Sequence, residues 1–428
     1  LEEFTVLRGS RRNARPTRRR ISALLLASLA GVLPLAAQQP ANEGWLRFPD
    51  RPRLQFGNWL RVDLRVKTQN DFRIYSPGSV ATDDGLHDLN RARVGIQGEF
   101  LGQFEYEVER ELTDPENPWR DVFLNWQPRR EFQIRGGKFK VPFGMEQLTG
   151  PTNLNFVYRA LISNLIAPGR DRGAVVRGRF FGRGLEYAAG WFLHDGENSI
   201  NPGRLLVARV FGRPLRLLDR RGFARNVEIG IAATDSPVST ADLTSLRGRT
   251  SFRETFFPRY FVQGRRLRLG TELNWEPGPF GIYAEFMHAR DQRLGQGLRG
   301  NDISDLITRG WYVAGTWLIT GEDKYDGINV RKEFLSGGGI GALEFAVRYE
   351  AIRFGSAEHP GLPSRSTRAA NILSDSNRLV TFGFNWYVNR WVKIQANGIH
   401  ERLEDPQRSP MFGRTLFWSR VVRIQASI

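Results

Sequence analysis

The chain contains no cysteine, only three methionines and only five histidines among 428 residues. Without thiols, disulfide staples and thiolate metal sites are excluded. The histidines (His87, His194, His288, His359 and His400) are far apart and form no H-x-x-x-H pair, which argues against a zinc enzyme. No local nucleophile motif joins serine, histidine and aspartate, so no enzyme is expected. Beyond residue 37, no segment approaches the ~18 uncharged apolar residues of a spanning helix. A mature chain in a membrane would therefore cross it as strands. Gly295-Gln-Gly-Leu-Arg-Gly300 matches G-x-G-x-x-G, but neither an apolar strand before it nor a helix after it is indicated. It reads as a loop, and Gly337–Gly341 as a turn into a strand. No cofactor and no metal site are implied.

What is abundant is positive charge, glycine and aromatic residues. Lys and Arg number 62 against 45 Asp and Glu, a formal +17. Such a balance calls for an anionic partner: nucleic acid, anionic lipid or small anions. With 12% aromatics, 45 glycines and negative mean hydropathy, a nucleic-acid binder is disfavoured. A barrel with aromatic girdles outside and polar residues inside fits naturally. Arginines 11, 12, 15, 18, 19 and 20 run into the apolar stretch Ile21–Leu35, followed by Ala36 and Ala37. This is the pattern of a bacterial secretory signal peptide over 1–37, with cleavage near Ala37. Residues 1–37 hold seven Arg and two Glu, so 17 − 5 = +12 stays with the mature chain.

After a short segment, 38–53, the sequence alternates with period two. Leu54, Phe56, Leu60, Val62, Leu64 and Val66 share one face; Gln55, Arg61, Asp63, Arg65 and Lys67 share the other, with Asn58 and Trp59 as misfits. Ala92, Val94, Ile96 and Phe100 oppose Arg91, Arg93, Gln97 and Glu99 in the same way. A helical period would mix these sets. Strands are predicted at 54–67, 88–100, 103–111, 119–127, 131–140, 172–181, 184–194, 204–213, 225–233, 265–276, 280–290, 307–320, 341–354, 377–388, 391–402 and 413–427. Sixteen is an even number, as bacterial outer-membrane barrels require, and short connections alternate with long ones. The connections 214–224 and 321–340 are long for their side. The expected fold is all-β: a transmembrane antiparallel barrel of about sixteen strands over 54–428, its third outer loop (141–171) folding inward. A soluble β-sandwich is the alternative, and it rarely needs strands this long.

Gly137-Lys-Phe-Lys-Val-Pro-Phe-Gly-Met-Glu-Gln-Leu148 and Ala167-Pro-Gly-Arg-Asp-Arg-Gly173 resemble motifs of the phosphate-selective porin O/P family. Softer matches are Leu318-Ile-Thr-Gly-Glu-Asp323 with Leu343-Glu-Phe-Ala-Val-Arg-Tyr349, and Phe384-Asn-Trp-Tyr-Val-Asn389. The resemblance implies a usually trimeric outer-membrane channel for phosphate, pyrophosphate or polyphosphate. Ile428 departs from it, since such barrels usually end in an aromatic residue. The expected function is an anion-favouring diffusion channel, with small phosphate-type anions, outer-membrane lipid and lipopolysaccharide as partners and no nucleic acid. A general porin with weak anion bias and a non-conducting structural barrel are the alternatives. Rings of Arg or Lys are the expected device for an anion pore. The alternation puts Arg61, Arg65, Lys67, Arg91, Arg93, Arg177, Arg179, Arg348 and Lys393 on the polar face. The family motif adds Lys138 and Lys140, and the third loop adds Arg159 and Arg170, with Arg172 just beyond. Phe156–Ile162 is expected to pack on the inner wall and aim Arg159 at the pore. Glu105, Glu107 and Glu109 stand ready to neutralise Arg91 and Arg93.

If the leader reading holds, intact-mass measurement of the exported protein will give a chain beginning near Gln38. A chain that still carries Ile21–Leu35 would reject it.

Overall fold

The computed structural model describes residues 46–47, 51–75, 87–196, 199, 203–218, 223–239, 244–325, 327–334, 337–358, 361–410 and 413–428. The expected leader, 1–37, lies outside them. Sixteen antiparallel strands form a closed wall. They are β1 Leu60–Tyr75, β2 His87–Phe100, β3 Phe104–Glu111, β4 Trp119–Arg129, β5 Phe132–Lys140, β6 Arg170–Phe180, β7 Leu185–Phe192 and β8 Leu205–Gly212. The second half is β9 Glu228–Val238, β10 Gly264–Trp275, β11 Phe280–Asp291, β12 Leu306–Leu318, β13 Ala342–Ser356, β14 Asp375–Tyr387, β15 Val392–Leu403 and β16 Leu416–Ser427. Each strand pairs with its neighbour in sequence. The last returns to the first, with Ser427 opposite Lys67 and Ser419 opposite Tyr75. Val66 and Ile428 exchange both backbone hydrogen bonds at the seam, at 3.3 and 2.9 Å. No helix among the described residues is long and apolar enough to cross a membrane.

All sixteen predicted strands are present; the first and ninth are displaced, and the last begins at Leu416, three residues later than predicted. The first prediction, 54–67, spans two elements: Arg53–Phe56 and the start of β1, joined by a tight turn at Gly57, whose φ is +50°. The turn puts Leu54 opposite Val62 and Arg53 opposite Asp63, where the side chains form an ion pair at 2.6 Å. Asn58 and Trp59, the misfits of the alternation, are in that turn. The ninth strand begins three residues later than predicted, after a 3-10 turn at Phe223–Asn226, and runs on through Pro237 to Val238.

Alternation sorts side chains between lipid and lumen. On β13, Phe345, Val347 and Tyr349 are exposed on the outside, while Glu344, Ala346, Arg348, Glu350, Ile352 and Phe354 are buried on the inside. The short turns between Phe100 and Phe104 and between Phe180 and Leu185 have positive φ at Leu101 and Gly102 and at Phe181, Gly182 and Arg183, as tight hairpins between right-twisted strands require. The long connection 319–341, on the same side as these turns, carries a buried lysine. Lys324 donates to Thr316 Oγ1 at 2.7 Å and to Asn155 Oδ1 of the third loop at 3.2 Å, and it pairs with Glu344.

Glycine matters at one wall position in particular. Gly95 on β2 stands between Arg65 on β1 and Glu109 on β3. With no side chain there, Arg65 reaches across β2 to Glu107, and Lys67 reaches Glu109 at 2.5 Å. A Cβ at Gly95 would lie 2.5 Å from the Val108 carbonyl oxygen and 2.9 Å from Glu109 Cα. The Gly95→Val variant is expected to lose ~1–3 kcal/mol through overpacking. The check is a lower midpoint for heat-induced unfolding of the folded barrel on gels. An unchanged midpoint would mean that the wall yields more easily than this spacing implies.

Candidate functional site

The third outer connection, 141–169, begins and ends on adjacent strands, and Val141 N–H donates to Gly169 O at 2.8 Å across its neck. Between these ends it holds two short helices, Met145–Leu148 and Leu161–Leu165, and a 3-10 turn at Pro151–Asn153. Phe143, Phe156, Val157, Leu161, Ile162 and Ile166 are buried in one apolar cluster with Met287, Ile352, Leu379, Ile399 and Val421 of the wall. Such a segment must also satisfy its backbone polar groups. Inward side chains of the wall do so with matching polarity. Glu285 on β11 accepts the Met145 and Glu146 N–H groups at 2.6 and 3.1 Å, and Glu350 on β13 accepts Leu161 N–H at 2.5 Å. Lys393 and Gln395 on β15 donate to Leu154 O at 3.0 and 3.1 Å, and Arg423 on β16 donates to Val157 O at 2.8 Å. Arg348 on β13 donates to Tyr158 O at 3.1 Å and to Glu146 Oε1 at 3.2 Å. Gln425 on β16 and Gln69 on β1 hold Thr152 O and Pro151 O at 2.9 and 3.1 Å.

These anchors come from β11 to β16 and from β1, so the loop lies against the inside of that half. Facing it, β1 to β8 and loop residues Pro142, Leu148, Gly150 and Pro151 enclose a cavity of ≈ 650 Å³. Eleven cationic side chains line it (Arg61, Arg65, Lys67, Arg93, Arg135, Lys140, Arg170, Arg177, Arg179, Arg183 and Arg209) against five carboxylates, those of Glu99, Glu105, Glu107, Asp121 and Glu186. A cationic excess in a low-dielectric channel concentrates anions.

The sequence-selected cations divide into groups. Arg61, Arg65, Lys67, Arg93, Lys140, Arg170, Arg177 and Arg179 line the cavity. Arg348 and Lys393 face inward but are engaged with the loop backbone, as is Arg159. Arg91 donates to Gln69 Oε1 at 2.6 Å rather than to a glutamate. Arg93 pairs with Glu109 at 3.0 Å and with Glu111 at 2.7 Å. Lys138 and Arg172 are on the other face. They stand opposite each other on β5 and β6, in phase with Ile134 and Val176, which are exposed on the outside. Neither lines the cavity, although Lys140 and Arg170, which share their phase, do so from the strand ends beside the loop. Arg135, Arg183, Arg209, Arg423 and Lys324 were not selected from sequence. Arg135 and Arg209 could have been, since each lies on the inward phase of its strand.

Lys140 and Arg159 meet at one carbonyl. Lys140 Nζ donates to Leu148 O at 3.0 Å and Thr149 O at 2.8 Å; Arg159 donates to Glu146 O at 3.0 Å and to the same Thr149 O at 2.7 Å. Among the described residues, no carboxylate lies within ion-pair distance of Arg91, Lys140, Arg159, Arg177 or Arg179. Burial pushes the Arg159 guanidinium down to about 10; Glu146 opposes this, and Arg170, Arg93 and Arg423 add to it. It therefore remains a cation at neutral pH. The carboxylates of Glu107, Glu109 and Asp121 come within 4.8 Å of one another. They are engaged by Arg65, Lys67, Arg93 and Arg170, which makes the cluster an ion-pair lattice.

A family model described as phosphate-selective porin O and P matches residues 62–211 and 250–415. The chain belongs to this porin family. Its place is the outer membrane, and its fold is that of a membrane channel. Solved structures share the architecture at low identity. The anion-selective porin of Comamonas acidovorans is 12% identical with a TM-score of 0.52, over 86% of this chain and 100% of that one. The outer-membrane channel DcaP of Acinetobacter baumannii is 9% identical at 0.54, over 88% and 99%. Salmonella typhi OmpF, in complex with daunomycin, is 12% identical at 0.54, over 86% and 98%. A comparison with curated protein sequences gives no significant match.

Glu285 is the anchor whose removal should be most visible. Besides the two loop N–H groups it accepts Tyr312 Oη at 2.9 Å. In Glu285→Gln an amide N–H must face a donor, at a cost of ~1–3 kcal/mol. Single-channel recordings should then show added open-channel noise or brief closures. Recordings as quiet as wild type would mean that the loop is held without this contact.

Proposed function

We propose that this outer-membrane porin is an anion-favouring diffusion channel, with phosphate-type anions as its principal cargo. The observation that carries the reading is the cavity wall, where eleven cations face five carboxylates. Support comes also from Lys140 and Arg159, which converge on Thr149 O beside the loop with no carboxylate partner among the described residues. An anion passing between the loop and β1–β8 would meet these two first, with Arg91, Arg93 and Arg170 close by, and then Arg177 and Arg179. Arg suits phosphate because its planar fork donates two parallel hydrogen bonds. Division of the charge over several sites keeps each weak enough to release the ion.

In this reading the third loop is the constriction. Arg348 and Lys393 hold it in place, while Arg61, Arg65 and Lys67 are partly neutralised by Asp63, Glu99, Glu107 and Glu109. Lys138 and Arg172 belong to the outer wall rather than the ion path. Export through a leader cleaved near Ala37 and assembly as a homotrimer complete the proposal, the latter from the family resemblance.

The test is the reversal potential of the refolded mature chain in a planar bilayer under a tenfold potassium chloride gradient, followed by phosphate titration. An anion-sign potential with saturable phosphate block is expected. Anion bias without block would leave a general porin, cation preference would overturn the reading, and no conductance would leave a structural barrel. Neutralising a charge several ångströms from the path changes an ion's energy by ~1 kcal/mol, about fivefold. Lys140→Gln with Arg159→Gln should therefore lower anion preference by at least that factor and abolish block.

A further inference from the structure

The outer wall carries charge where it meets lipid. Arg309, Arg353, Arg378, Arg402 and Arg420, on β12 to β16, are all exposed on the outward face. Arg309 lies directly opposite Arg353, and Arg378 directly opposite Arg402. Between these pairs the register steps by two residues, since Arg353 opposes Ser376. Between Arg402 and Arg420 it steps by four, since Arg402 opposes Leu416. Both steps run toward the short-turn end of the barrel, as strand tilt requires of residues held at one height. The five therefore form a belt near the long-loop rim. Trp311, the next outward residue after Arg309 on β12, meets Tyr349 edge-on at 5.4 Å. An aromatic girdle just inside a row of cations marks the boundary between hydrocarbon and headgroups.

Arg353 has Glu404 at 3.8 Å. Among the described residues, no carboxylate reaches ion-pair distance of Arg309, Arg378, Arg402 or Arg420. Like charges on directly facing strand positions, ~5 Å apart, destabilise a sheet unless something lies between them. An anion with several oxygens turns the repulsion into attraction, and guanidinium forks bind phosphate in bidentate fashion. At this depth a fixed phosphate comes from the lipid itself.

We propose that the outward face of β12–β16 binds the phosphate groups of an anionic glycolipid of the outer leaflet. Arg309 with Arg353 and Arg378 with Arg402 form its two phosphate clamps. The site depends on the chain's residence in the outer membrane and is independent of the lumen's ion preference.

The experiment uses protein refolded without lipid and kept in detergent with millimolar inorganic phosphate, so that lumen sites are already occupied. Diphosphorylated lipid A and its dephosphorylated form are titrated, with binding read by native mass spectrometry. Wild type should bind the phosphorylated lipid, and R309Q/R378Q/R402Q should bind it roughly tenfold or more weakly. The dephosphorylated lipid should not distinguish the two proteins. Single-channel conductance of the variant should match wild type, which shows that it has folded. Equal binding of the phosphorylated lipid by both proteins would overturn the proposal. So would a changed number of subunits in the variant, which would make the belt a contact between copies of the chain.

Discussion

A strand in hydrocarbon has no water to receive its backbone N–H and C=O groups, so every one of them must pair with another strand. That constraint fixes the wall. Sixteen strands in sequential register leave two edges, and β16 closes on β1 through nine paired positions from Ser419 to Ser427. The lower part of β1 extends beyond the end of β16, and Arg53–Phe56 covers it there. Once the wall is closed, side-chain parity decides everything else: each residue faces either lipid or the enclosed space.

Inside, the same positive residues have three different fates. Some pair with carboxylates on neighbouring strands, as Arg93 does with Glu109 and Glu111. Some hold loop carbonyls, as Lys393 and Arg423 do at Leu154 and Val157. A third set, Arg91, Arg177 and Arg179, has no carboxylate in reach among the described residues, and Lys140 and Arg159 combine the last two, holding loop carbonyls with no carboxylate in reach. Composition reports only their sum. The loop is stapled by carboxylates where its N–H groups point and by cations or amides where its carbonyls point, so its position follows from matched polarity at a series of points. Lys324 extends this framework through the barrel, joining a connection at the short-turn end to Asn155 of the loop.

The wall was readable because period-two alternation is a local property. Its one deceptive passage has a simple cause: Phe56 and Leu60 are an even number of residues apart, so the apolar phase passes through the turn at Gly57 unbroken. Phase also gave the correct face for Arg61, Arg65 and Arg177, but it fails at the strand ends beside the loop, where Lys140 and Arg170 share the phase of Lys138 and Arg172 and still line the cavity. Partners were another matter. Glu285 and Met145 are 140 residues apart, and Lys393 and Leu154 are 239 apart. Parity says that Lys393 points inward, but not that a loop carbonyl waits there. Parity likewise places Glu344 inside, but does not say that a lysine of the preceding connection is buried against it.

The loop covers one half of the inner wall and the cations line the other. On the loop side the cations are spent on loop carbonyls, as Lys393 and Arg423 are at Leu154 and Val157, whereas on the β1–β8 side Arg177 and Arg179 line the space itself. The opening therefore has two chemically different sides, and the path between them is set by a loop on one side and by a strand wall on the other.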